Sequence, residues 1–149
     1  MKRKPTKFKE VSHLTTSFEA RVKFNDADPL GIVWHGNYIG YFEEGREAFG
    51  RKHGISYLDI HKNDFTTPIV ESKCEHKLPL KYGDTFTVET TILNTPAAKM
   101  IFNYTIYNQN KKVVCTGQTI QAFVHVNGEL SLYPPDFYEE WKSKVKFDQ

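Results

Sequence analysis

Long apolar runs are missing from this chain. No stretch approaches the ~20 residues that a membrane-spanning helix needs, so no bilayer span is expected. The opening MKRKPTKFKEVSH is basic with no apolar segment behind it, so it lacks the core of a secretory signal, and a cytoplasmic location is expected. Cysteine is scarce. Cys74 and Cys115 are the only two, both in strand-like segments, which excludes a disulfide framework and reads as buried free thiols in a reducing compartment. Seven prolines and nine glycines among 149 residues exclude collagen-like and low-complexity chains, and 26% charged residues with 39% hydrophobic ones exclude disorder. Charge of one sign is absent too: a net +2 gives no footprint for nucleic acid. No G-x-S-x-G elbow, glycine-rich phosphate loop or H-E-x-x-H motif occurs. Cys74 and His76 are the only close Cys/His pair, and two ligands fall short of the three or four of a zinc site, so no metal is expected.

What remains is enough for one domain over 1–149 with a real core. Lys2, Arg3, Lys4, Lys7 and Lys9 read as part of a flexible basic tail over 1–15. From Ser17 to Phe24, apolar Phe18, Ala20, Val22 and Phe24 alternate with Glu19, Arg21 and Lys23, the period of a half-buried strand. From Asn37 the period changes. Tyr38, Tyr41, Phe42, Gly45, Ala48 and Phe49 recur at spacings of three and four, predicting one long helix ended near Gly54. Gly40 and Gly45 inside it are expected to mark the close approach of another backbone. Strands follow: a β-leaning stretch over Phe65 to Leu80, a turn at Lys81 to Asp84, then Thr85 to Leu93, Met100 to Tyr107, and Val113 to Val126 closed by Asn127-Gly128. No second helical pattern is read before the C-terminus. There, Asp136 and Glu139 have capping-box spacing ahead of a short terminal helix. The order describes an α+β fold, an antiparallel sheet wrapped around one long helix. One helix leaves sheet edges uncovered, so a homo-oligomer is expected.

The turn between first strand and helix carries the chemistry. Pro29 holds Asp28 extended and Gly31 lets the backbone reverse, so the Asp28 carboxylate is presented on a stiff loop. Trp34-His35-Gly36-Asn37 then enters the helix, with Gly36 or Asn37 as N-cap, and the first turn of a helix offers unpaired N–H groups of partial positive charge. A carboxylate facing such donors suits acyl transfer. By spacing alone, plain turn hydrogen bonds are the favoured role of Asp26 and Asp28, since Asp-Pro turns are frequent. A lone histidine such as His35 is as often a packing residue, and Glu43 alone is a solvated helix charge.

The stretch F-N-D-A-D-P-L-G-I-V-W-H-G-N-Y resembles the active-site segment of the 4-hydroxybenzoyl-CoA thioesterase family of hotdog-fold acyl-CoA thioesterases. The similarity continues at Phe42-Glu43, Thr67-Pro68-Ile69-Val70 and Tyr82-Gly83-Asp84, in the family's order. It implies a hotdog fold and hydrolysis of an acyl-CoA substrate by Asp28, acting as nucleophile or as general base. It also implies a carbonyl polarised by the backbone N–H of His35, an acidic neighbour in Glu43, and substrate contacts from Trp34, Gly36, Asn37, Thr67 and Lys99. No cofactor is implied, coenzyme A being part of the substrate. A homodimer or homotetramer is implied, with Thr67 supplied by the partner subunit. The turn Thr95-Pro96-Ala97-Ala98-Lys99 departs from the family's basic turn by keeping only Lys99, which leaves an acyl-ACP thioesterase as an alternative; a non-catalytic acyl-CoA-binding hotdog protein is the rival from another class.

Overall fold

The computed structural model describes residues 12–148. In chain order it holds β1 (His13–Arg21), a 3₁₀ turn (Phe24–Asp26), α1 (Asn37–His53), α2 (Tyr57–Lys62), β2 (Phe65–Thr66), β3 (Ile69–His76), β4 (Thr85–Leu93), β5 (Lys99–Asn108), β6 (Val113–Ala122), β7 (Val124–His125) and α3 (Asp136–Lys144). Five strands form one antiparallel sheet in the order β1-β4-β5-β6-β3, and β2 pairs with β7 beside it.

Strand alternation decides which face meets the helix. Phe86, Val88, Thr90 and Ile92 of β4 and Met100, Phe102, Tyr104 and Ile106 of β5 are all buried, while their sequence neighbours are half-exposed. Against that face lie Tyr38, Tyr41, Phe42, Gly45, Phe49 and Gly50 of α1. Phe42 stacks on Tyr104 with ring centroids 4.5 Å apart. Two glycines make this fit possible. A Cβ on Gly45 would stand 2.7 Å from Val88 Cγ1, and one on Gly117 of β6 would stand 2.3 Å from the Phe42 ring. The helix closes at Gly54, whose φ of 72° is the left-handed cap that glycine adopts without strain. Tyr138 and Trp141 of α3 cover the far end of the core against Phe123, and Trp141 Nε1 donates to the His53 carbonyl at 2.7 Å.

Several sequence expectations are corrected. The first strand begins at His13, so positions 13–15 are sheet and not tail; residues 1–11 lie outside the described ones. It also ends at Arg21, leaving Phe24 80% exposed, because the chain turns into the 3₁₀ segment. A second helix exists: α2 is only six residues long, too short to show a period, yet Ser56 and Asp59 cap it reciprocally. The stretch 65–80 and the last strand are each broken in two, the first at Thr67-Pro68, the second at buried Phe123. At α3 the N-cap is Pro135, so Asp136 and Glu139 sit within the first turn and form no capping box. A Cβ on Gly40 would have nothing within 4 Å, and one on Gly45 meets side chains of β4, not a backbone.

Candidate functional site

Asp26 builds the loop. Its Oδ2 accepts from Lys23 N–H at 2.9 Å and from Tyr41 O–H at 3.0 Å, and its carbonyl accepts from Trp34 N–H at 3.0 Å and Asn37 Nδ2 at 2.9 Å. One residue thus ties the 3₁₀ turn to the start of α1. Burial, then the Asp26 carboxylate, push the Tyr41 hydroxyl well above its ordinary range, so it stays a proton donor. Asp28 rides on this frame. Its N–H donates to Ile32 O at 2.8 Å, its carbonyl accepts from Gly31 N–H at 2.9 Å, and its Oδ1 accepts from Leu30 N–H at 2.8 Å. Gly31 turns with φ of 79°. Asp28 is half-buried, and among the described residues its carboxylate is held by backbone, not by a side-chain cation.

A cavity of about 410 Å³ opens at this point, lined by Asp28, Leu30, His35, Tyr38, His76 and Lys77 among others. Asp28 and the entry to α1 therefore share one space. Gly36 is the N-cap in helical conformation, and among the described residues the N–H groups of His35 and Gly36 donate to no protein acceptor. Trp34 lies over Gly36, where a Cβ would meet the indole at 2.2 Å, and its ring stands 5.1 Å from that of His35. Tyr38 accepts from Leu80 N–H at 3.3 Å, and burial raises its hydroxyl pKa. His76 packs edge-on against Tyr38 with centroids 5.0 Å apart. In the sequence His76 reads as a surface histidine beside Cys74; its place at the end of β3, where the alternation puts it on the helix side against Tyr38, is the signal that no local motif carries.

Other expected site residues go elsewhere. Glu43 and Thr67 line a second cavity of about 580 Å³ with Arg46, Tyr57, Ile60, Ile69, Phe102 and Gln121. Arg46 is the partly buried cation there, donating to the Tyr104 hydroxyl oxygen at 3.2 Å. Gln121 Nε2 donates to the Thr67 carbonyl at 2.7 Å, which fixes the β2–β3 corner. Asn37 commits its amide to Asp26. Lys99 begins β5, opposite Ala122, at the end of the sheet away from Asp28. Cys74 and Cys115 are free thiols in mutual contact; burial raises both, that of Cys115 strongly. Among the described residues no group of three His, Cys, Asp or Glu side chains is placed to hold a metal ion, and no helix is long and apolar enough to cross a membrane.

The family model of the thioesterase-like superfamily matches residues 22–141, from the end of β1 into α3. "Putative acyl-CoA thioesterase YneP" of Bacillus subtilis is 37% identical over 90 residues, 60% of this chain and 65% of that protein. A "Putative esterase" of Aquifex aeolicus is 30% identical over 125 residues, 84% of this chain and 96% of that one. Among solved structures, the DHNA-CoA thioesterase of Staphylococcus aureus superposes with a TM-score of 0.75 at 27% identity, covering 89% of this chain and 90% of its own. The sheet wrapped on α1, the matched span and these likenesses lead to one assignment: the chain is a hotdog-fold member of the thioesterase-like superfamily.

Proposed function

We propose that this protein hydrolyses an acyl-CoA thioester, with Asp28 as its reactive carboxylate. The observation that carries the reading is the shared cavity: Asp28 and His35, at the start of α1, line the same space. A thioester carbonyl seated there has the His35 N–H group at the positive end of α1 to accept from, so charge developing on its oxygen is stabilised by a fixed donor. Asp28 either takes a proton from a water that attacks the carbonyl carbon, or attacks that carbon itself and is freed by water. In both routes the C–S bond breaks and the thiolate leaves as coenzyme A after gaining a proton. The free acid is the other product. Only water and substrate are consumed, so no cofactor is needed.

A homodimer completes this reading. Every residue of β3 but Cys74 is exposed, although a strand inside a sheet would be covered on at least one face. Ile69 at its start lines the larger cavity, and His76 at its end lines the Asp28 cavity. Antiparallel pairing of two β3 edges about a twofold axis sets the Asp28 cavity of one protomer against the larger cavity of its partner. The second cavity, with Glu43, Thr67, Phe102 and Ile60, then receives the acyl group.

Free-thiol release from a panel of acyl-CoAs tests the proposal. Turnover is expected for at least one member, falling about 10²–10⁴-fold in Asp28→Asn with substrate binding retained. Binding across the panel with no thiol released, or undiminished turnover in Asp28→Asn, overturns it.

A further inference from the structure

We propose that a lysine rim at the Asp28 end of the sheet, formed by Lys77, Lys81, Lys111 and Lys112, binds the phosphate groups of coenzyme A. The inference rests on the acyl-CoA reading above and locates the nucleotide end of the substrate. Residues 1–11 hold five Lys or Arg and one Glu, so from a total of +2 the described residues are left at −2. Against that negative body, Arg21, Lys23, Lys77, Lys81, Lys111 and Lys112 gather at one end.

The backbone brings them together. Lys77 and Leu78 donate N–H groups to Val114 O at 2.8 and 3.0 Å, two residues beyond Lys112, so β3's exit lies against the β5–β6 hairpin. The chain then crosses the end of the sheet. Val33 N–H donates to Leu80 O at 2.8 Å, Ile32 bridges Lys81, and Gly83 N–H donates to Val22 O at 3.3 Å. Asp84 joins this crossing to the hairpin tip by accepting from Gln109 Nε2 at 3.2 Å.

The acids at this end are mostly committed. Asp84 also accepts from Lys81 N–H at 2.8 Å, and Asp26 is held by Lys23 N–H and Tyr41. Glu75 lies 3.7 Å from Lys77. The four lysines are exposed, and Lys77 also lines the Asp28 cavity, so the charged rim continues from the reacting carboxylate outward. Exposed lysines hold phosphate as point charges, and their clustered field draws a multiply anionic substrate to the mouth of the cavity. Lys99, the basic residue left in the 95–99 turn, begins β5 at the other end of the same protomer's sheet.

The test compares an acyl-CoA with the matching acyl-pantetheine, which has the same thioester and no phosphate. Lys81→Ala, Lys111→Asn and Lys112→Ala are combined, asparagine being chosen because position 111 has φ of 61°. KM for acyl-CoA is expected to rise about tenfold with kcat and the acyl-pantetheine parameters unchanged. An equal change for both substrates, or none for acyl-CoA, overturns the rim. If the wild-type protein turns over neither substrate, hydrolysis is refuted and the rim is read from calorimetric binding of coenzyme A: a Kd weakened about tenfold in the triple variant supports it, an unchanged one overturns it. Loss confined to an acidic acyl carrier protein substrate also overturns it, giving the rim to that carrier.

Discussion

Gly40 and Gly45 lie in one helix, and replacing each by alanine gives opposite results. Alanine is the better helix former by about 1 kcal/mol, so with open space around Gly40 the Gly40→Ala protein is stabilised by roughly that amount. At Gly45 the same gain meets an obstacle: the new Cβ would stand 2.6 Å from Thr90 Oγ1 and 2.7 Å from Val88 Cγ1. Thr90 can turn away without losing a hydrogen bond, since its buried hydroxyl has no partner among the described residues. Val88 cannot give way so easily, because β4 is held between β1 and β5. Overpacking of this kind costs about 1–3 kcal/mol, leaving a net loss of up to about 2 kcal/mol once helix propensity is subtracted. With a urea m-value of about 2 kcal/mol/M, the midpoint moves up about 0.5 M in Gly40→Ala and down by up to about 1 M in Gly45→Ala. Adding Val88→Ala to Gly45→Ala recovers part of the loss beyond additivity. Equal midpoints for the two single variants would refute the packing of α1 on β4 described above.

Removing the Tyr41 hydroxyl in Tyr41→Phe deprives Asp26 of a donor at 3.0 Å; stability falls by about 1–2 kcal/mol and kcat drops with little change in KM, measured by urea titration and steady-state kinetics. His53, 2.7 Å from Thr16 Oγ1, has its pKa lowered from 6.5, by burial first and Lys52 second. The folded state therefore resists protonation more than the unfolded one, so its contribution is complete above pH 6.5 and is lost as pH falls through 6.5 towards the lowered folded value. In His53→Gln, urea midpoints across that window lose this slope. Val70→Lys puts a charge on the exposed β3 edge; light scattering should show a monomer, with thiol release lost alongside, and an active dimer would count against edge pairing.

The periodic parts of the fold are readable because one face of each is buried. β4 and β5 alternate strictly, and α1 keeps its three-four spacing from Tyr38 to Phe49. Where several elements share a residue's surroundings, the pattern fails. Phe24 continues an apolar alternation but ends in solvent, because the backbone of Asp26 is claimed by Trp34 and Asn37 and bends the chain away. The six-residue α2 has no room for a period, although Ser56-x-x-Asp59 announces its start. Asp28 and His35 are legible as neighbours, seven positions apart across a single loop. The placement of Glu43 in another cavity is not, since it depends on how β2 and β3 fold back over the middle of α1. His76 joins Asp28 through sheet pairing alone, a long-range relation that no local motif carries.

The edge strand β3, with one hollow at either extremity, has a genetic corollary if two such edges pair as proposed. Two crippled chains, one altered at Asp28 and the other at Glu43, would when co-expressed assemble mixed pairs. In such a pair one reaction chamber inherits both lesions and the other inherits neither, so activity absent from each parent alone returns in the mixture.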